Sequence, residues 1–272
     1  MNSIELAKRV RLDVLKMVHS AHASHIGSAY SVIDILTVLY SDILKYDINN
    51  AKNDNRDRLV LSKGHAGAAL YATLAEVGFY SVDLLKTYEQ DGSVFSGHIS
   101  HKGVPGVEFS TGSLGHGVCV ATGIALAGKL DKKKYHVYAI TGDGETNEGS
   151  FWETIMFANQ YKLSNYTVII DRNHMQAMGD ISNVIETGNL AEKIKEFGWN
   201  TISIDGHNHA QIKNALLTKF DNEAPTCIVA NTIKGKGVSF FENELIWHYR
   251  DPQGEFYEKA LKELQEGVKN EK

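Results

Sequence analysis

The chain has 272 residues, 43% of them apolar and 22% charged, which suits a soluble protein with a sizeable core built as one large α/β domain spanning residues 1–272. A formal net charge of −5 without any basic block argues against nucleic acid and against a membrane surface as partners. The N-terminal MNSIELAKRV lacks the apolar core of a signal peptide, and no apolar run approaches the length of a membrane span, so a cytoplasmic protein is expected. Cys119 and Cys227 lie in apolar stretches without CxxC spacing and read as reduced, buried thiols.

In chain order, residues 3–20 place Leu6, Val10, Val14 and Met17 on one stripe of a helix. Residues 31–44 read as a second helix opened by a serine cap. After the polar NNAKNDNRDR, RLVLS at 58–62 is a short buried strand and AGAALYATLAEVG a small-residue helix. Residues 90–117 are rich in Gly, Ser and His with little periodicity; so long an irregular stretch is usually functional. A buried helix, HGVCVATGIALAGKL, leads to the strand YHVYAIT, which runs into GDGE. Helix 149–162, strand 166–173, helix LAEKIKEFG, strand WNTISIDG, helix HAQIKNALLTKF and strand PTCIVANTI follow, and the charged tail from Tyr257 reads as an exposed helix. This rhythm predicts an α/β fold with a mainly parallel sheet and helices on both faces.

TGDGE at 141–145 falls where a strand ends and a helix begins, the edge at which open α/β sheets bind ligands. Gly142 and Gly144 allow close backbone approach, and Asp143 offers a carboxylate to a hard cation. The helix start that follows offers N–H groups to an anion, so a metal–diphosphate complex is implied. One βαβ step later, VIIDRN ends in Asn173, whose oxygen can share the cation, with the Met175 carbonyl as a third ligand. Taken singly, GDG is a common turn and Asn173 a common turn residue.

GDG followed by a helix, a strand and a terminal Asn resembles the thiamine-diphosphate motif. SHIGSAYS, DRLVLSKGHA, SGHIS, STGSLGHG, GDGETNEGSFWE, DRN and TIKGKGVSF, with His248 after them, together resemble the N-terminal, diphosphate-binding (PP) part of transketolase over residues 5 to 250. The resemblance implies thiamine diphosphate with Mg2+ (or Ca2+ or Mn2+) as cofactors, and transfer of a two-carbon ketol unit between sugars or sugar phosphates. It implies that His65 lies near the diphosphate and reacting centre, that His98 contacts the donor sugar, and that His25 and His248 orient it and relay its hydroxyl proton. It further places Gly112, Ser113 and Leu114 beside the aminopyrimidine, and Glu148 in a carboxylate network between the two active sites of a dimer. The rival reading of Glu148 is a charge at a helix N-terminus. The remaining histidines His19, His22, His136, His207 and His209 read as structural hydrogen-bonders.

The family's pyrimidine-binding domain and its activating glutamate are expected on a separate C-terminal subunit, in an α2β2 assembly. Departures from the family pattern include HIG at 25–27, GHIS at 97–100, His116 and Arg172; those around His98 leave the sugar's identity open. Competing readings are a zinc site made of the histidines, which lacks an HxxxH pair, and another thiamine reaction such as deoxyxylulose-phosphate synthesis or 2-oxo acid decarboxylation. A nicotinamide dehydrogenase, which would need GxGxxG after its first strand, and a non-catalytic assembly subunit complete the set.

Overall fold

The computed structural model describes residues 1–269. Helix α1 (Ser3–Ala21) opens where the Asn2 side chain accepts the Glu5 amide at 2.8 Å, and its stripe Leu6, Val10, Val14 and Met17 is buried as expected. Helix α2 (Ile26–Val38) continues through a π turn, Leu39–Ile43. It starts earlier than the predicted cap at Ser31, directly after His25, which adopts a left-handed conformation with φ 71°. Ser31 is an interior residue whose hydroxyl reaches Asp171 at 2.6 Å. Ile26–Ile43 also corrects the expectation about apolar runs: 18 residues with mean hydropathy 1.3 have the length and composition of a span, yet 83% of the stretch is buried within the fold.

Five strands, β1 (Arg58–Leu61), β2 (Val137–Gly142), β3 (Tyr166–Arg172), β6 (Asn200–Asp205) and β7 (Thr226–Asn231), form one parallel sheet in the order β1-β2-β3-β7-β6. The short antiparallel pair β4 (Met175–Gln176) and β5 (Gly179–Asp180), followed by the single turn α6 (Ile181–Val184), stands apart from it. Side chains alternate between two cores, as the strand period of two demands. Leu59, Leu61, Tyr138, Ile140, Ile169, Ile228 and Ala230 pack with α1, α2, α3 (Gly67–Glu76) and α8 (His209–Leu217). Val60, Val137, Ala139, Val168, Ile170, Cys227 and Val229 pack with α4 (His116–Leu130), α5 (Gly149–Gln160) and α7 (Leu190–Glu196). The crossovers through α4, α5 and α7 carry the chain one way along the sheet, and α8 on the other face brings it back from β6 to β7, as right-handed connections require.

Two burial expectations change. Helix α4 buries only one face: Val118, Ala121 and Ala125 are buried, whereas Gly123 is exposed and Cys119 half-buried, its Sγ donating to the Gly115 carbonyl at 3.1 Å. The tail helix α9 (Glu255–Lys269) is no free-standing exposed helix, because Ala260 and Leu264 are buried and Phe256, Tyr257 and Leu261 pack on the core; residues 270–272 of the predicted segment lie outside the described residues. The irregular stretch before α4 is tied to the carboxyl end of β1: Ile99 N donates to Gly64 O at 2.9 Å and Thr111 Oγ1 to Leu61 O at 2.6 Å. Gly64 makes that approach possible, since a Cβ there would stand 2.3 Å from the Thr111 carbonyl oxygen.

Candidate active site

Over the carboxyl ends of β1, β2 and β3 lies a cleft of about 530 Å³. Register pairing of Gly142 with Asp171 places the ends of β2 and β3 side by side, and Asp143 and Asn173 both open into the cleft. The Asp143 carboxylate accepts the Gly144 amide at 2.9 Å and the His174 amide at 2.6 Å. Asn173 Oδ1 accepts the Met175 amide at 3.1 Å, and its Nδ2 reaches Ser31 Oγ at 3.4 Å. Met175 itself lines the cleft on β4. Nothing lies within 4 Å of a Cβ built on Gly142, so the backbone there is open to the cleft, whereas Gly144 is covered by the Gln176 side chain.

The Asp143 carboxyl is pushed up to about 6, by burial first and then by Asp171. No ion pair reaches it among the described residues, although Lys63 pulls its value the other way, and the oxygens of Asp143 and Asn173 are the hard donors magnesium takes. The opposite imbalance lies across the same cleft. Lys234 is 1% exposed and has no carboxylate within ion-pair reach among the described residues; its Nζ is 3.1 Å from His248 Nδ1. Burial, then Lys63, pushes its ammonium down to about 8. Lys63, equally buried, is neutralised by Asp171 and also donates to Ser28 O at 3.1 Å. Burial alone would raise Asp171, but Lys63 and the hydroxyls of Ser31 and Thr232 hold it below the ordinary carboxylate value.

The four predicted histidines converge. The His25 ring lies 5.4 Å from His65, 5.5 Å from His98 and 5.0 Å from His248, centroid to centroid, and His65 and His248 are 5.8 Å apart. They come from four segments: the entry to α2, the 3-10 turn Gly64–Ala66, the irregular stretch, and the 3-10 turn Leu245–His248. His25 N donates to His248 O at 2.9 Å, and His25 Nδ1 meets Ser24 Oγ at 2.9 Å. Burial, followed by neighbouring histidines and lysines, lowers His25 to about 4, His248 to about 3 and His65 well below its ordinary value. At neutral pH these three rings are uncharged, each with one N–H and one lone-pair nitrogen to offer a bound hydroxyl. Among the described residues no group of three or more His, Cys, Asp or Glu is placed to hold a metal, which removes the histidine zinc site.

Gly112 and Leu114 line the cleft and Ser113 does not; it is exposed beside them. Glu148 lines the rim, exposed, at the N-cap of α5 and without a capping bond of its own. Arg172 does not line the cleft and donates to Gly188 O at 3.0 Å, so that departure is structural. Sequence reasoning passed over Lys63, Asp171, Lys234 and Glu145. Glu145, 1% exposed, accepts from Ser62, from the Gly115 amide at 2.8 Å, from Thr141 Oγ1 at 2.6 Å and from the Gly142 amide at 3.3 Å, pinning the GDG turn to α4 and β1. The available signal was a charged residue directly after an apolar strand, in LVLSK and in GDGE.

Comparison with known proteins agrees with this geometry. The family model described as transketolase, thiamine diphosphate binding domain, matches residues 3–253. An apulose-4-phosphate transketolase subunit of Phocaeicola vulgatus is 39% identical over 263 residues, 96% of this chain and 93% of that one. A 6-deoxy-6-sulfo-D-fructose transketolase subunit of a Clostridium species (strain MSTE9) is 38% identical over 260 residues, covering 95% and 94%. The crystal structure of transketolase from Campylobacter jejuni superposes with a TM-score of 0.90 at 32% identity, over 97% of this chain but 43% of that one. The family match spans nearly the whole chain and two relatives above 30% identity are covered almost end to end, so the chain belongs to the transketolase family, as its thiamine-diphosphate-binding domain.

Proposed function

We propose that this chain is the diphosphate-binding subunit of a two-subunit transketolase that moves a two-carbon ketol unit from a ketose, in phosphorylated form, to an aldose. One observation carries the reading: among the described residues neither Asp143 nor Lys234 has an ion-pair partner, both are buried in one cleft, and a metal–diphosphate supplies a partner to each. Mg2+ is held by Asp143, the Asn173 side-chain oxygen and the Met175 carbonyl, and Gly142 leaves room for the phosphates. Lys234, Lys63, His65 and His248 face the diphosphate. Gly112, Ser113 and Leu114 edge the pyrimidine, and Glu148 points to a neighbouring active site. When bound, thiamine diphosphate supplies the nucleophilic carbon and the electron sink. The protein's share is to orient the sugar with His98 and His25, and to take and return a hydroxyl proton on the uncharged imidazoles of His25, His65 and His248.

The acidic group that acts on the pyrimidine belongs, in this reading, to a C-terminal partner chain, and the assembly is α2β2. Supporting this, Leu130, Met156, Phe157 and Tyr161 are exposed apolar side chains on or beside α4 and α5. Both split relatives carry names that describe one subunit of a transketolase, which points the same way. The test is calorimetric titration of thiamine diphosphate and Mg2+ into this chain with and without its partner, followed by ketol-transfer assays over a panel of sugar phosphates. Full activity from the lone chain would refute the two-subunit reading; absence of cofactor binding in every assembly would refute the enzyme.

A further inference from the structure

A buried polar cluster on the far side of α2 takes no part in the chemistry just described. Asp34, 4% exposed, takes Arg11 in a two-pronged pair, Nη1 to Oδ1 at 3.1 Å and Nη2 to Oδ2 at 2.6 Å. Two histidines reach the same carboxylate: His207 Nδ1 at 2.7 Å from Oδ2 and His209 Nε2 at 3.1 Å from Oδ1. Burial alone would raise Asp34, but Arg11 and the two imidazoles hold it well below the ordinary carboxylate value, so it is a fixed negative charge. His209 closes on Ser3 Oγ at 2.8 Å, while the other nitrogen of His207 does something different: Nε2 stands 2.8 Å from the backbone N of Ile233. A backbone N–H can only donate. His207 Nε2 is therefore the lone-pair nitrogen, and the ring proton is on Nδ1, donated to Asp34.

The same carboxylate holds the loop at a second point, because Arg11 Nε donates to Lys236 O at 3.0 Å. Between these two ties, Gly235 N donates to Gly27 O and Asn243 N to Lys234 O, each at 2.9 Å. What the loop presents, at its middle, is Lys234, whose aliphatic stem lies so close to Gly27 that a Cβ there would meet its Cγ at 3.2 Å. Lys234 lines the cleft and neither Asp34 nor His207 does. A lysine stem has four rotatable bonds, and the single contact of the Lys234 ammonium with His248 Nδ1 leaves a buried cation without an ion pair to hold it. Something must set its backbone.

We propose that Asp34 and His207 are positioning residues: Asp34 fixes the tautomer and tilt of the His207 ring, His207 anchors the Ile233 amide, and that anchor holds Lys234 at the diphosphate position. The inference rests on the reading of Lys234 as a diphosphate-facing group. It assigns His207 a task beyond the structural hydrogen bond expected from the sequence. His207→Leu removes the acceptor at similar bulk, whereas His207→Gln keeps an acceptor oxygen within reach of the Ile233 amide.

The test uses the full chain and two readouts. Hydrogen exchange of residues 232–237 should quicken about tenfold in His207→Leu, as expected for one buried amide losing its acceptor, and return close to the wild-type rate in His207→Gln. Thiamine diphosphate affinity in the presence of Mg2+, measured by calorimetry, should fall in His207→Leu in the direction of a Lys234→Met control and be largely restored in His207→Gln. Unchanged exchange in 232–237, or a rise spread evenly over the chain, overturns the proposal. So does a faster loop with wild-type cofactor affinity while Lys234→Met binds weakly. If Lys234→Met binds the cofactor as tightly as wild type, the diphosphate reading of Lys234 falls instead, and the exchange readout still decides whether His207 holds the loop.

Discussion

Replacing Asp143 by Asn should make the cation-free protein more stable at neutral pH while destroying its response to cofactor. The carboxyl is raised from 3.8 to about 6, chiefly by burial and then by Asp171, against the opposing pull of the His174 and Gly144 amides. The folded protein thus binds this proton more tightly than the unfolded chain does. The stability it lends is complete below pH 3.8, drains away as pH rises and is gone above about pH 6. A shift of about two units corresponds to ~3 kcal/mol. The asparagine amide is neutral at every pH and, like the protonated carboxyl, offers one acceptor oxygen to the two amides. The stability difference between variant and wild type should therefore move by ~2 kcal/mol in the variant's favour between pH 4 and pH 7, the rest of the effect lying below pH 4. Urea denaturation of both proteins with EDTA across that range measures it, and titrating groups remote from Asp143 cancel in the difference. Adding Mg2+ and thiamine diphosphate at pH 7.5 should then stabilise wild type and leave Asp143→Asn unchanged. A pH-independent difference, or equal stabilisation of both proteins by the cofactor, would show that Asp143 is not an uncompensated buried charge awaiting a cation.

Lys63→Met removes one member of a buried pair and strands Asp171 at 0% exposure; urea denaturation should show a loss of about 3–5 kcal/mol, against well under 1 kcal/mol for the exposed pair partner in Lys86→Met. Gly117→Ala puts a Cβ 2.6 Å from Ser62 Cα, where backbone has to move, and thermal melting should report a destabilisation of about 1–3 kcal/mol. His98 is exposed, so His98→Ala should leave thermal stability and cofactor affinity unaltered in the assembled enzyme while the KM for the donor sugar rises about tenfold or more; an equal fall in cofactor affinity would place His98 at the diphosphate instead.

Much of the site is legible in the sequence, for a specific reason. Asp143 and Asn173 belong to short motifs at strand ends, and a parallel sheet aligns such ends without further instruction. The four histidines are picked out by the company they keep in GSAYS, SKGHA, SGHIS and the stretch after TIKGKG. Lys63, Lys234, Asp171 and Glu145 are not legible. A lysine read from sequence belongs at the surface by default, and only the fold shows that Lys63 meets a carboxylate 108 residues away. The start of α2 is misplaced because its first turn contains Gly27 and Ser28, poor helix formers held there by packing against Lys234 and Lys63. The pair β4 and β5 is missed because two-residue strands carry no periodicity.

By itself the sequence determined the elements and their layering. The near-continuous apolar runs in VYAIT, VIID and CIVAN are a local property and require a sheet covered on both faces. Tertiary structure alone decided the charge states and the direction of each polar side chain. Desolvation and Coulomb forces depend on distances between segments remote in the chain, so His25 at the entry to α2 and His248 on the last turn before α9 fall below the ordinary imidazole value only when folding buries them, within 5.0 Å of each other and beside two buried lysines.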